Sequence, residues 1–286
     1  MVYFDYSDLG FTPFLKSWLQ TKSKDLQVIL QDLITKFIQP TLDFKRANCR
    51  ELVPINEVNS IQSMTRLFDT LAVPANGVDP NDSENYALMV QYWFVFAVIW
   101  SIGASVDEAG RKSLDTFIRE MDGTFPNKDS IYEYWVDGKT NQWSNFEDKL
   151  EKSWRYPNNA PFYKIVVPTV DTIRYQLIVS ALLNNKQPVL LTGPVGTGKT
   201  SVAEGVLSGL GNFNNLTINM SAQTSSNNVQ EIIESKVEKR TKGVYVPIGG
   251  KKLITYLDDL NMPAKDTFGS QPPLELLRQW MDYSFW

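Results

Sequence analysis

One eight-residue run, residues 193–200, limits the folds open to this chain more than any other feature of its sequence. Its letters, GPVGTGKT, satisfy the pattern G-x-x-x-x-G-K-[ST], in which glycines let backbone N–H groups wrap around phosphate oxygens. Such a loop lies between a buried strand and a helix, because the helix N-terminus presents unpaired N–H donors to the anion. The apolar residues 188–191 predict that strand, and residues 200–210 predict the helix.

The residue types in this loop predict a nucleoside triphosphate site. Lys199 is expected to reach the β- and γ-phosphates, and the Thr200 hydroxyl is expected to ligate Mg²⁺. The predicted cofactors are therefore ATP or ADP, together with Mg²⁺. A glycine-rich turn of purely structural use is the alternative, and the strand–loop–helix context argues against it. The predicted nucleotide-binding residues of the loop are Gly193, Pro194, Val195, Gly196, Thr197, Gly198, Lys199, Thr200 and Ser201.

A second strand pattern, residues 253–257, is followed directly by two carboxylates, Asp258 and Asp259. In folds that hydrolyse nucleotides, a carboxylate at such a strand end holds Mg²⁺ through water, and a second acidic residue orients the attacking water. Asp258 is thus the predicted metal-site residue beside Thr200, and Asp259 is the predicted catalytic base. A pair of aspartates that merely begins a loop is the plain alternative.

Composition argues against several other kinds of chemistry. The chain has 286 residues with a single cysteine, Cys49, and no histidine. An internal disulfide is therefore impossible, and the residues for a zinc site or for Ser-His-Asp or Cys-His catalysis are lacking. The net charge of −4 does not indicate a nucleic-acid partner, and the short basic runs near Lys239 and Lys251 are typical of solvated surface.

One segment is apolar enough to require a membrane test. Residues 86–106 carry no charge over a length that could span a bilayer. Polar residues interrupt the segment, and both of its flanks are acidic rather than basic. A helix buried inside a larger assembly is therefore the favoured interpretation, and neither a membrane nor nucleic acid is an expected partner.

The remaining patterns divide the chain into a helical part and an α/β part. Residues 1–4 predict a short strand, and apolar residues at helical spacing predict about five helices over residues 11–122, one of them ended by Pro40. Residues 123–165 are rich in aromatic residues and predict an ordered connector with a hairpin around Asp137-Gly138. Further on, helices alternate with strands, which predicts a parallel sheet covered on both sides. The predicted elements there are helices at 172–184, 227–239 and 272–283, and strands at 216–220, 244–246 and 253–257.

At these residues the chain resembles the AAA+ modules of dynein heavy chains, and in particular the third module of axonemal dyneins. The resemblance is carried by the runs LTGPVGTGKT (191–200), NMSAQTSS (219–226), YLDDLNMP (256–263) and QPPLELLRQW (271–280). The DDLNMP run is far more specific than a phosphate loop alone. Residues 167–172 are similar to the segment that enters this module near the adenine, which implies Val167 and Thr169 as further nucleotide contacts.

The resemblance covers essentially the whole chain and implies an α/β fold class in four parts. Residues 1–10 correspond to the last strand of a preceding AAA+ large domain, and residues 11–122 to a helical AAA+ small domain. Residues 123–165 are the aromatic-rich connector. Residues 166–286 correspond to a P-loop AAA+ large domain with a parallel sheet, which is expected to be incomplete at its C-terminus.

The function implied by the resemblance is an ATP-binding segment of a dynein motor ring, with a regulatory nucleotide site for microtubule-based ciliary motility. The implied partners are the remaining AAA+ modules and other axonemal dynein subunits. Microtubules are implied as a partner only of the full motor. The implied location is the cytoplasm and cytoskeleton, in the axoneme of a cilium or flagellum. Two alternatives stay open: a truncated dynein-like structural component of a ciliary complex, and a stand-alone AAA+ or midasin-like ATPase.

One departure from the family pattern bears on catalysis. Many AAA+ proteins have glutamate where this chain has Asp259. Aspartate is one methylene shorter, so slow hydrolysis is expected. The chain by itself, without the arginine finger of a neighbouring module, is expected to be nearly inactive as an ATPase.

Overall fold

The computed structural model describes residues 9–155, 161 and 165–284, and the chain divides into two compact units between Val189 and Leu190. The first unit is mainly helical and the second is α/β. This division lies later in the chain than residue 165, so the segment before the phosphate loop belongs to the helical unit. The strand predicted at residues 1–4 lies outside the described residues.

Five helices form the first part of the helical unit, as the apolar spacing predicts. Asn56 caps the third of them by accepting the Val58 N–H at 2.9 Å, and Asp107 caps the fifth by accepting the Gly110 N–H at 2.8 Å. The helices are α1 (Thr12–Gln20), α2 (Lys24–Asn48), α3 (Glu57–Leu71), α4 (Tyr86–Ser101) and α5 (Glu108–Met121).

The prediction that Pro40 ends a helix is wrong, because α2 continues through it to Asn48. A proline inside a helix loses one hydrogen bond and clashes with the preceding turn, at a cost of about 3 kcal/mol. On either side of Pro40, the side chains of Phe37, Ile38 and Leu42 are buried in the core. Tertiary packing of this apolar face offsets the local cost and keeps the helix intact.

The uncharged helix α4 lies at the centre of the helical unit. Eleven of its 16 residues are buried, on every side of the helix. Phe94 packs edge-on against Phe68, with ring centroids 6.1 Å apart, and its ring centroid lies 6.4 Å from that of Phe37. The expectation of a buried helix is therefore confirmed. No helix in the described part of the chain is long and apolar enough to cross a bilayer.

The aromatic segment after α5 packs into the same core. Strands β1 (Tyr134–Asp137) and β2 (Gln142–Asn145) form the predicted hairpin, with Asp137 opposite Gln142. Trp143 of β2 stacks on Phe125, with ring centroids 4.2 Å apart. The following helix α6 (Val170–Asn184) is tied to this segment by buried Arg174, which donates to the Tyr132 carbonyl at 2.8 Å.

The loop of this hairpin contacts the backbone near Asn76 so closely that only glycine fits at position 138. A Cβ added to Gly138 would lie 2.3 Å from the carbonyl carbon of Asn76. We expect Gly138→Ala to lower the free energy of unfolding by about 2–3 kcal/mol, because the backbone must move to relieve this overlap. Urea unfolding followed by circular dichroism measures the change.

Gly123→Ala is the matched control for this prediction. A Cβ at Gly123 would meet no atom within 4 Å, and Gly123 is not among the glycines of positive φ. We expect a change within about 0.5 kcal/mol, as for other surface substitutions. Equal stability of the two variants would show that the contact between the two loops is not tight.

The second unit is built on a pair of parallel strands. Strand β3 (Phe213–Asn219) pairs with β6 (Lys252–Asp258), so that Asn219 and Asp258 are opposite each other at one sheet edge. This pairing confirms the predicted parallel sheet. The other elements are α7 (Lys199–Gly209), α8 (Ser226–Glu234), β4 (Val237–Thr241), β5 (Val244–Pro247) and α9 (Pro272–Tyr283).

The buried strand predicted at residues 188–191 is not formed. These residues are not assigned to a strand, and the side chain of Leu190 is 71% exposed. A strand requires a hydrogen-bonded neighbour, and in the described part of this unit β3 and β6 pair only with each other. Local apolar composition therefore does not suffice to form the strand here.

The helix predicted at residues 227–239 is too long. Helix α8 ends at Glu234, and β4 then pairs with β5 in an antiparallel hairpin. Gly243, with φ of 77°, supplies the left-handed conformation that the reversal needs. The segment predicted as a strand at 244–246 is thus extended as expected, but it belongs to this hairpin and not to the parallel sheet.

Candidate functional site

The phosphate-loop pattern forms the entry into α7. Gly196 and Gly198 have φ values of 82° and 81°, which side-chain-bearing residues rarely adopt. No atom lies within 4 Å of the position that a Cβ would take at either glycine, so this side of the loop is open. The backbone thus explains why the pattern needs glycine here, and it leaves space for a ligand along the loop.

Lys199, the first residue of α7, points its ammonium at its own loop. The Nζ atom donates to the carbonyl oxygens of Gly193 at 2.9 Å and Pro194 at 2.7 Å. The Thr197 hydroxyl donates to the Pro194 carbonyl as well, at 2.9 Å. These bonds place a positive charge at the N-terminus of a helix, where unpaired N–H groups also favour an anion.

Strand β6 brings a carboxylate to the same place. The Thr200 hydroxyl lies 3.2 Å from Asp258 Oδ2 and 3.4 Å from Oδ1, although the two residues are 58 positions apart in sequence. Both groups offer the hard oxygen ligands that Mg²⁺ prefers. The described residues contain no group of three or more Asp, Glu, His or Cys residues that could hold a metal ion. Mg²⁺ is usually held by one or two protein oxygens together with phosphate and water, and the pair of Thr200 and Asp258 suits that arrangement.

Tyr256 also belongs to this cluster, and sequence reasoning did not identify it. Its hydroxyl donates to Asp258 Oδ1 at 2.9 Å. Burial and the hydrogen bond to Asp258 raise the pKa of Tyr256 to about 12, so the phenol remains a donor at neutral pH. The available signal was the two-residue spacing, because side chains at i and i+2 of a strand lie on one face.

Asp259 occupies a different position from Asp258. Its backbone is left-handed, with φ of 54°, and its N–H donates to Asp258 Oδ1 at 3.1 Å. The residue is exposed, and no hydrogen bond or ion pair joins its carboxylate to any described residue. The following segment is held by Gln271, whose side-chain amide donates to the carbonyl oxygens of Asn261 and Pro263 at 3.1 and 2.6 Å.

The other predicted site residues lie partly in this cluster and partly elsewhere. Pro194, Val195 and Thr197 are exposed on the loop, and Ser201 lies in the first turn of α7. Val167 and Thr169 belong to the helical unit. Thr169 caps α6 there, since its hydroxyl accepts the Thr172 N–H at 3.2 Å. Their contact with adenine stays a prediction.

A phosphate loop that opens α7, with a carboxylate supplied from a neighbouring parallel strand, defines the P-loop class of nucleoside triphosphate-binding domains. Comparison with known families agrees. A family model described as the P-loop containing dynein motor region matches residues 154–286, and the model of the dynein heavy chain AAA lid domain matches residues 30–148. The expected fold class, a helical domain followed by a P-loop α/β domain of AAA+ type, is confirmed.

Known relatives align with the chain over its whole length. Human dynein axonemal heavy chain 2 is 61% identical over 288 residues, and the dynein-1-beta heavy chain of the flagellar inner arm I1 complex of Chlamydomonas reinhardtii is 43% identical over 324 residues. Mouse dynein axonemal heavy chain 3 is 32% identical over 326 residues. The chain belongs to the axonemal dynein heavy chain family. It spans 6%, 7% and 8% of the length of these three relatives.

Proposed function

We propose that this chain binds ATP or ADP with Mg²⁺ between residues 193–201 and the end of β6. The observation that carries the proposal is the 3.2 Å approach of the Thr200 hydroxyl to the Asp258 carboxylate beside an open phosphate loop. Lys199 contacts the β- and γ-phosphates, and Thr200 ligates Mg²⁺. Asp258 holds the same ion through water. Val167 and Thr169 contact the adenine side of the nucleotide.

Hydrolysis at this site is slow. Asp259 is the base that orients the attacking water, and its carboxylate is free of bonds to the described residues. The aspartate side chain is one methylene shorter than that of glutamate. Its carboxylate therefore lies farther from the attacking water and orients it poorly. A site that binds nucleotide tightly and turns it over slowly suits regulation of a motor better than force production.

The site acts within a dynein motor ring. Residues 1–122 correspond to the end of the second AAA+ module, and residues 166–286 to the first part of the third. Its partners are the remaining modules of the ring and other axonemal dynein subunits, and it acts on microtubules only through the full motor. Through these partners the site regulates microtubule-based motility of a cilium or flagellum. The motor is located in the axoneme, which belongs to the cytoskeleton in the cytoplasm. The names of the aligned relatives, an axonemal and a flagellar dynein heavy chain, support the axonemal location.

Magnesium dependence tests the roles of the two aspartates. We expect Mg²⁺ to tighten the binding of a fluorescent ADP analogue. Asp258→Asn keeps the shape of the side chain and removes its charge, so it should weaken metal binding by about 10- to 100-fold, as is typical for groups that hold a metal indirectly. Titrations with Mg²⁺ and with EDTA measure the effect.

Asp259→Asn is the matched control, because it removes the neighbouring charge. We expect this variant to keep Mg²⁺-dependent binding and to lose the residual hydrolysis measured by phosphate release from the motor ring. The assignment fails if Asp258→Asn binds Mg²⁺ and nucleotide as the wild type does, or if Asp259→Asn shows the larger loss of Mg²⁺ dependence.

A further inference from the structure

The segment from residue 236 to residue 252 is strongly basic in an acidic chain. It contains six basic residues and one acidic residue, Glu238, whereas the whole chain has a net charge of −4. The segment comprises the antiparallel hairpin β4–β5 and the turn that leads into β6. The basic residues are Lys236, Lys239, Arg240, Lys242, Lys251 and Lys252.

None of these cations forms an ion pair with a described carboxylate, and all six residues are exposed. Lys251 donates only to the Gly211 carbonyl, at 3.1 Å, and Lys252 lies 5.7 Å from the centre of the Phe213 ring. Some other exposed cations of the described chain are paired, as Lys112 is with Glu108 at 2.8 Å and Arg278 is with Asp282 at 2.7 Å. The positive charge of the hairpin is therefore not balanced locally.

Apolar side chains lie among these charges. Val244, Tyr245 and Ile248 are 50%, 57% and 49% exposed. Tyr245 is paired directly opposite Lys239 across the hairpin, so its ring and that ammonium share one face. A solvated polar loop does not need exposed aromatic and branched residues, and such a mixture is typical of a surface that binds another protein.

The hairpin also offers free backbone edges. In the described chain β4 and β5 pair only with each other, so each strand has one edge whose N–H and C=O groups face no third strand. A two-stranded hairpin is marginally stable by itself, and an extended peptide that adds as a further strand stabilises it through main-chain hydrogen bonds. Nucleic acid would satisfy the charges but could not use these edges.

We propose that the β4–β5 hairpin is a docking site for an acidic, extended polypeptide segment. The carboxylates of the partner pair with Lys239, Arg240 and Lys242, and its apolar side chains cover Val244. Successive side chains of a strand point to opposite faces, so a partner that alternates acidic and apolar residues presents its carboxylates on the face of Lys239 and its apolar side chains on the face of Val244. The proposal does not depend on nucleotide binding at the phosphate loop.

The test is fluorescence anisotropy of a labelled peptide of alternating glutamate and valine, titrated with the full chain. The triple variant Lys239→Gln/Arg240→Gln/Lys242→Gln should weaken peptide binding by about tenfold or more. Complementary charges at an interface speed the encounter of the two partners and fix their alignment. The labelled peptide with lysine in place of glutamate should not bind. The affinity for the acidic peptide should fall as the salt concentration rises.

A matched control separates the hairpin from the net charge of the chain. Lys16→Gln/Lys24→Gln/Lys139→Gln removes three exposed lysines of the helical unit and changes the net charge equally. This variant should keep wild-type affinity. Equal loss in both triple variants would overturn the proposal. A labelled single-stranded oligonucleotide that binds through the hairpin, while the acidic peptide does not, would also overturn it.

Discussion

Lys199→Ala is expected to abolish nucleotide retention by an otherwise folded chain. The ammonium is the single side-chain cation of the phosphate loop, and each charge-assisted bond that it makes to a phosphate contributes about 1.5–3 kcal/mol. Loss of two such bonds weakens binding by about 100-fold or more. Nucleotide released from the purified, denatured protein and separated by chromatography gives the retained fraction.

Lys242→Ala is the control for this substitution, because Lys242 is an exposed lysine on the turn of the β4–β5 hairpin. It should retain as much nucleotide as the wild type. Circular dichroism should show that both variants are folded, since alanine is a good helix former at the start of α7. Unchanged retention in Lys199→Ala would remove the assignment of this loop as the nucleotide site.

Phe94→Ala is expected to destabilise the helical unit by about 3–5 kcal/mol, which is the usual cost of truncating a buried phenylalanine. The side chain is 0% exposed and contacts Phe37 and Phe68 from the centre of α4. Truncation leaves a cavity that the neighbouring helices α2 and α3 cannot easily fill. Urea unfolding of the full chain, followed by the tryptophan fluorescence of this unit, measures the loss.

Val28→Ala is the matched truncation on the surface of the same unit. The Val28 side chain is 68% exposed on α2, so its removal should change the free energy of unfolding by no more than about 0.5 kcal/mol. If Phe94→Ala were equally harmless, α4 could not be the centre of the core. The interpretation of residues 86–106 as a buried helix would then fail.

The phosphate loop, the parallel sheet and the meeting of Thr200 with Asp258 could be expected from the sequence, because each rests on a local pattern in a known context. The contacts of Gln271 could not, since its hydrogen bonds to Asn261 and Pro263 depend on which segments the fold places side by side. Tyr256 could be expected only from its two-residue spacing to Asp258 on one strand. The same limit explains Pro40, whose helix-breaking tendency is outweighed by burial of the residues around it.

The wrong strand at 188–191 and the missed strand β4 have a related cause. Both are short segments whose composition does not decide by itself whether a strand forms, so pairing partners decide the outcome. Residues 188–191 have no partner strand in the described chain, whereas β4 finds one across the turn at Gly243. Periodicity alone contains no information about either partner.

The most direct measurement is an electron cryomicroscopy map of the intact motor ring with saturating Mg²⁺ and ADP. We expect density for a nucleotide along residues 193–201, with the Lys199 ammonium turned from the carbonyl oxygens of Gly193 and Pro194 to the phosphates. A magnesium ion should lie against the Thr200 hydroxyl and near Asp258. An empty loop at saturating nucleotide, with Lys199 still bound to those two carbonyl oxygens, would contradict it.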